Sequence, residues 1–213
     1  MQASIAGIVV PDTELARGAR ELAHDALPDI AWNHSMRAFC FASLVAQRDD
    51  CRYDAELLYV ATLFHAFGLL EPYWDLSRRF EIDSADFARR YMQAQGIDAR
   101  RCEVVWDAIA LHMTPGIPEH CAAECRLLSA GVNMDLQGEG LLTLAPDSRA
   151  EVQHAFPRGP GFKVRILEFL ANGMRDRPDT TYGTFGADIL DRADPDYRRR
   201  NFCGAVLGAE WAD

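Results

Sequence analysis

Apolar residues recur every three to four positions along most of this chain, and no run alternates with period two. Side chains three and four apart share a helix face, whereas strand side chains alternate. The pattern therefore constrains the chain to helices. Leu15, Ala19 and Leu22 mark one stripe, and Val105, Ala108, Ile109 and His112 another. The stretch after Pro28 carries two at once: His34, Ala38, Phe41 and Val45, with Met36, Phe39, Cys40 and Leu44 beside them. A helix apolar over so much of its circumference is expected to lie centrally.

Punctuation divides the chain further. Asp29 and Asp54 are placed to cap helices, and Asp83 or Ser84 to start the one that Gly96 ends. Helices are also expected from Arg101 to His112, Glu119 to Asp135, Pro146 to His154 and Phe162 to Gly173, with Thr114 to Pro118 a firm break. The tail from Arg175 is expected to wrap the surface. The reading is one all-α domain over residues 1–213, with its core over about 30–175. The helices are too irregular in length for an up-down bundle.

Hydrophobic residues make up 49% and charged residues 25%, as in globular domains of this length. A net charge of -10 argues against a nucleic-acid backbone or an anionic membrane as the main partner. No apolar run is long enough to cross a bilayer, and the segment Met1 to Pro11 has no basic n-region. The six cysteines form no CxxC pair, and Cys121 and Cys125 fall on one helix face. They read as reduced thiols of a cytoplasmic protein, mostly packing residues.

Four polar residues sit where apolar ones would be expected. His34 lies on the central helix. His65 ends an apolar helix within the stretch Leu57–Leu69, following Leu58 and Thr62 on its face. His112 ends another stripe, and Asp135 shares a face with Leu128 and Val132. Imidazoles and a carboxylate can ligate a first-row metal, and each can equally be a hydrogen-bonded core residue. Glu81 is either a pocket acid or a surface carboxylate near a helix start. Asn33 is either a substrate contact or a cap, and Trp74, Phe80 and Trp106 could line a small pocket, core packing suiting Trp106 best. Arg158 reads as structural, and His24, His120 and His154 as peripheral.

These segments, in this order, resemble the HD-domain metalloproteins and within them the cyanamide hydratase-like branch. The matching stretches are Asn33–Arg37, Glu56–His65, Arg79–Asp83, Val105–His112, Gly131–Asp135 and Phe156–Arg158. The resemblance implies an irregular helical bundle around a divalent metal, zinc first and Fe2+ or Mn2+ also compatible. His34, His65 and Asp135 would be its ligands. His112 would handle substrate or a proton, or act as an additional ligand. The implied activity is addition of water to a small nitrile-like or isonitrile-like molecule, with no nucleic acid or membrane partner and a homo-oligomer allowed. Nucleotide phosphohydrolysis is the alternative, although no basic residue follows His65 until Arg78. The chain departs from the pattern at one place. Ala66 stands where the His-Asp pair has its Asp. It is either a disabling substitution, which the intact surroundings favour, or a native residue of a weakened or lost site. In the native case the chain would be a non-catalytic binding protein.

Overall fold

The structure, a computed structural model, describes residues 4–211. Among them it is all-α apart from one two-stranded pair. The ten α-helices are α1 (Glu14–Ala26), α2 (Asp29–Arg48), α3 (Ala55–Phe64), α4 (Phe80–Ala94), α5 (Ala99–Leu111), α6 (Ala123–Gln137), α7 (Pro146–Ala155), α8 (Phe162–Met174), α9 (Phe185–Ala193) and α10 (Phe202–Leu207). No helix among the described residues is long and apolar enough to cross a membrane. The N-terminal segment read for export begins with residues 1–3, which lie outside the described residues.

The central position expected for the doubly striped helix is found. From His34 to Ala46 every residue of α2 is buried. It packs along α6, and also against α3 and α8. Its closest approach to α6 is set by Gly131, where a Cβ would fall 2.2 Å from the Ala38 carbonyl oxygen and 3.0 Å from the Ala42 methyl. The pair runs antiparallel: one turn forward from Gly131 is Asp135, and one turn back from Ala38 is His34. A glycine thus brings two polar residues of separate helices together. Gly131→Ala is expected to destabilise the fold by about 1–3 kcal/mol through overpacking, despite a helix-propensity gain of up to about 1 kcal/mol. Urea unfolding checks this, and a stabilised variant would contradict the close approach.

Several boundaries differ from the sequence expectation for identifiable reasons. Asp54 does cap α3, accepting from the N–H groups of Glu56 and Leu57. Asp29 does not cap α2: Pro28 holds the cap position, and Asp29 is the first helical residue. Its charge there still favours the helix dipole. Neither Asp83 nor Ser84 starts α4, which begins at Phe80. Both side chains are engaged elsewhere. Asp83 accepts from Arg177 at 2.6 Å and from the Asp75 N–H at 2.8 Å, and Ser84 Oγ accepts from the Gly68 N–H at 2.8 Å. Helix α6 starts at Ala123 rather than Glu119, because Pro118–His120 forms a separate 3-10 turn. The tail holds two further helices, α9 and α10, that its mixed composition did not suggest.

The strand pair joins Ser4–Ile5 to Ile8–Val9. Ala6 and Gly7 both have positive φ, as a two-residue hairpin turn requires. Strands of two residues are too short to show alternation, so the hairpin was not legible. Its Ala6 N–H donates to Glu151 of α7 at 2.6 Å. All six cysteines are free thiols, with Cys40, Cys102 and Cys125 buried. Burial raises the Cys40 thiol to about 12, which leaves it a packing group rather than a nucleophile.

Candidate functional site

Two of the histidines are set by the same local device. Each is the residue at which a helix ends: His65 caps α3 and His112 caps α5. The His65 Nδ1 lies 2.7 Å from the Thr62 carbonyl oxygen, and the His112 Nδ1 lies 2.6 Å from that of Ile109. A carbonyl can only accept, so each Nδ1 carries the proton and each Nε2 is left as an acceptor. The bond satisfies an orphan carbonyl of the last turn and fixes the tautomer.

The three rings stand in file. The His34 and His65 centroids are 5.2 Å apart and those of His65 and His112 are 5.1 Å apart, each pair edge to face. Phe80, from the first turn of α4, stands 6.1 Å from His112. Together with Ala66, these side chains line an enclosed cavity whose remaining wall is apolar. It is closed down to about 10 Å³, room for a single water. The Phe67–Leu69 turn after Ala66 is tied to α4 by close packing: a Cβ on Gly68 would fall 2.1 Å from the Phe80 carbonyl oxygen. Arg177 Nη2 donates to the Gly68 carbonyl, and Arg177 Nη1 reaches Asp83.

Behind His34 lies the most polar part of the core. Its Nδ1 is 2.7 Å from Asp135 Oδ2. Arg37 grips the same carboxylate in two-pronged fashion, Nε to Oδ1 at 2.7 Å and Nη2 to Oδ2 at 2.8 Å. Its Nη1 donates to the carbonyl oxygens of Phe156 and Pro157, at 3.0 and 3.3 Å. Arg158 Nη1 lies 3.9 Å from Asp135 Oδ1 and its guanidinium covers the Phe162 ring. Burial opposes ionisation of Asp135, but the hydrogen bonds from His34 and Arg37 outweigh it and hold the carboxyl well below the usual range. It is a carboxylate, and Arg37 is its counterion.

Burial, with His112 and then His34 nearby, holds His65 well below the ordinary imidazole pKa, against the bond to Thr62. Burial likewise lowers His112, against the Ile109 carbonyl and the charge of Glu81. Both rings are neutral at pH 7. The linkage sign follows. Below the ordinary imidazole pKa of about 6.5 the unfolded chain binds protons that the native rings refuse, so native stability falls with acidification through that window. Each ring contributes a slope of up to about 1.4 kcal/mol per pH unit. Urea unfolding between pH 8 and 5 should show the loss, and His65→Phe should flatten it. A stability independent of pH over that range would contradict neutral burial.

The remaining expected residues divide. Glu81 is buried rather than on the surface, 2.9 Å from Arg79 Nη2, and close enough for its charge to act on His112. Asn33 is half-buried beside His34 but does not line the cavity. Trp74 lines a different pocket, of about 360 Å³, which shares only Leu69 and Phe169 with the histidine cavity. Trp106 is half-buried and donates to Asp86 at 2.8 Å. His24, His120 and His154 are exposed. Arg37 was missed as a site residue, although its signal was present: a guanidinium on a helix otherwise apolar around its circumference must find a buried partner.

The expected metal can be tested against these donors. His34 touches both His65 and Asp135, so the three expected ligands are neighbours. The carboxylate, however, already accepts two guanidinium bonds and one imidazole bond, and Ala66 has no donor. Among the described residues no group of three or more His, Cys, Asp or Glu side chains is disposed to hold a metal ion. Asp135 and Arg37 also cancel in charge, so a dication beside the three imidazoles would have no free carboxylate to neutralise it. The residues as they stand do not fit the metal.

No family model matches the chain, and no curated protein matches it significantly. The fold and site together define an all-α protein with a closed, three-imidazole cavity backed by a buried Arg–Asp pair.

Proposed function

We propose that this chain binds a small neutral molecule in the histidine cavity, and that it is an impaired form of the metal-dependent hydratase or hydrolase to which its segments are similar. The observation that carries the reading is Ala66. Its methyl group lines the cavity beside His34, His65 and His112, at the place where a carboxylate would complete a ligand set. With Asp there, a bound divalent cation, zinc or alternatively Fe2+ or Mn2+, would supply an acidified water able to add to a nitrile-like carbon. Without it, the neutral rings of His65 and His112 offer Nε2 acceptors to an N–H or O–H donor. Cyanamide has the NH2 donor that arrangement asks for, and it enters only as the lining side chains move apart, since the cavity at rest admits about one water. The phosphohydrolase alternative draws no support, since no Lys or Arg is among the described residues that line the cavity.

Cyanamide titrated into the chain tests the binding reading, followed by imidazole nitrogen resonances. Saturable shifts are expected at His65 and His112, and none at the exposed His24, His120 and His154. Uniform shifts, or none, would remove the reading.

A further inference from the structure

The histidine cavity has a larger neighbour. A groove of about 410 Å³ lies between α6, α8 and α9, open to solvent and mostly apolar. Its inner wall is made by Met113, Leu136, Ile166 and Leu170, and these same four side chains line the histidine cavity from the other side. One layer of side chains therefore separates the two spaces. That layer contains a methionine directly after His112, and methionine is the unbranched, readily rearranged member of the apolar set. The opposite exit, past Leu69 towards Trp74, is closed by tight packing: a Cβ on Gly173 would fall 2.7 Å from Leu69 Cβ.

We propose that the groove and the cavity are two compartments of one site, joined when Met113 swings aside. The ligand is an uncharged molecule with an apolar body held in the groove and a small N–H- or O–H-bearing head that reaches His112 and His65. The volume falls within the range of small-molecule sites. The charged side chains of the groove, Lys163 and Asp188, are of opposite sign, which selects no net charge on the ligand. The head must donate because both imidazoles present acceptors. This assignment rests on the cavity being a binding site, and it moves the preferred ligand from a molecule of a few atoms to one with a hydrophobic body.

Benzamide, benzene and formamide separate the contributions of body and head, with binding followed by calorimetry and by the His65 and His112 resonances. Benzamide is expected to bind at least about tenfold more tightly than either fragment. Leu167 lines the groove only and is half-buried. Leu167→Asp should weaken benzamide about tenfold, and Leu167→Trp, which fills the groove, should do the same if the Asp variant fails to fold. Both should leave formamide unchanged. His112→Phe should reduce benzamide to the affinity of benzene. If the Leu167 variants leave benzamide unaffected while cyanamide still shifts His65, the groove assignment falls and the cavity reading stands. If benzamide binds without moving the histidine resonances, the two spaces are separate. If Leu167→Asp instead converts a dimer to a monomer in sedimentation, a second copy occupies the groove and the ligand assignment is overturned. The apolar side chains exposed on α10, Phe202 and Leu207 among them, would then be the first place to look.

Discussion

Ala66→Asp is expected to produce a chain that retains about one divalent cation and hydrates a small nitrile-like substrate at least about 100-fold faster than the chain with Ala66, the scale on which misplaced reacting groups reduce rates. The new carboxylate would stand on the cavity wall among His34, His65 and His112. Without metal it would be a buried charge beside the neutral His65 and His112 rings, and an uncompensated buried charge destabilises by about 3–5 kcal/mol. The metal-free variant should therefore melt earlier than the parent. Zinc at 100 times its dissociation constant should return about 2.7 kcal/mol by mass action. The parent, whose carboxylate is already paired with Arg37, should respond little. Metal analysis, melting with and without zinc, and turnover of cyanamide give three independent readings. If metal content, zinc response and turnover all stay at the level of the parent, the hydratase reading is wrong and a plain binding protein is left.

Arg37→Met is expected to cost about 3–5 kcal/mol of stability, since it strands the Asp135 carboxylate where the chain is wholly buried. It also leaves the Phe156 and Pro157 carbonyls without their guanidinium donor. The matching double variant, Arg37→Met with Asp135→Leu, should recover much of the loss, because a buried ion pair is often no more stable than apolar groups of similar volume. A double-mutant cycle in urea would measure the coupling. Equal damage from the single and double variants would show that the carbonyl bonds, not the charge pair, dominate. Acid should not mimic Arg37→Met until well below the ordinary carboxylate range. The Asp135 pKa is depressed, so its contribution is present above the unfolded value and is lost only as pH falls through the lower native one.

Local rules made much of this chain legible. The 3.6-residue stripes identified α1, α2, α3, α5 and α6, because a helix must bury one face and writes that need into its sequence. The burial of α2 from His34 to Ala46 followed from two stripes on one segment. His34, His65, His112 and Asp135 stood out because polar residues on apolar faces need partners. The Asp54 cap was readable for the same local reason. What failed was every boundary decided by a distant partner. Asp83 and Ser84 look like helix starters, yet Arg177 and Gly68 claim them from elsewhere in the chain.

The state of the candidate site was decided by tertiary structure alone. Sequence could set Asp135 beside three histidines as a candidate ligand; it could not show that Arg37, from the antiparallel helix, occupies both of its oxygens. It could note Gly131, but not that the missing Cβ there is what lets α2 and α6 close on that pair. Nor could it show that Met113, Leu136, Ile166 and Leu170 form a single layer between a closed cavity and an open groove. Periodicity reports which face of a helix is buried. Which residues meet across that face depends on helix register and on backbones some hundred residues apart, such as His34 and Asp135, and that information resides in the packing of the whole chain.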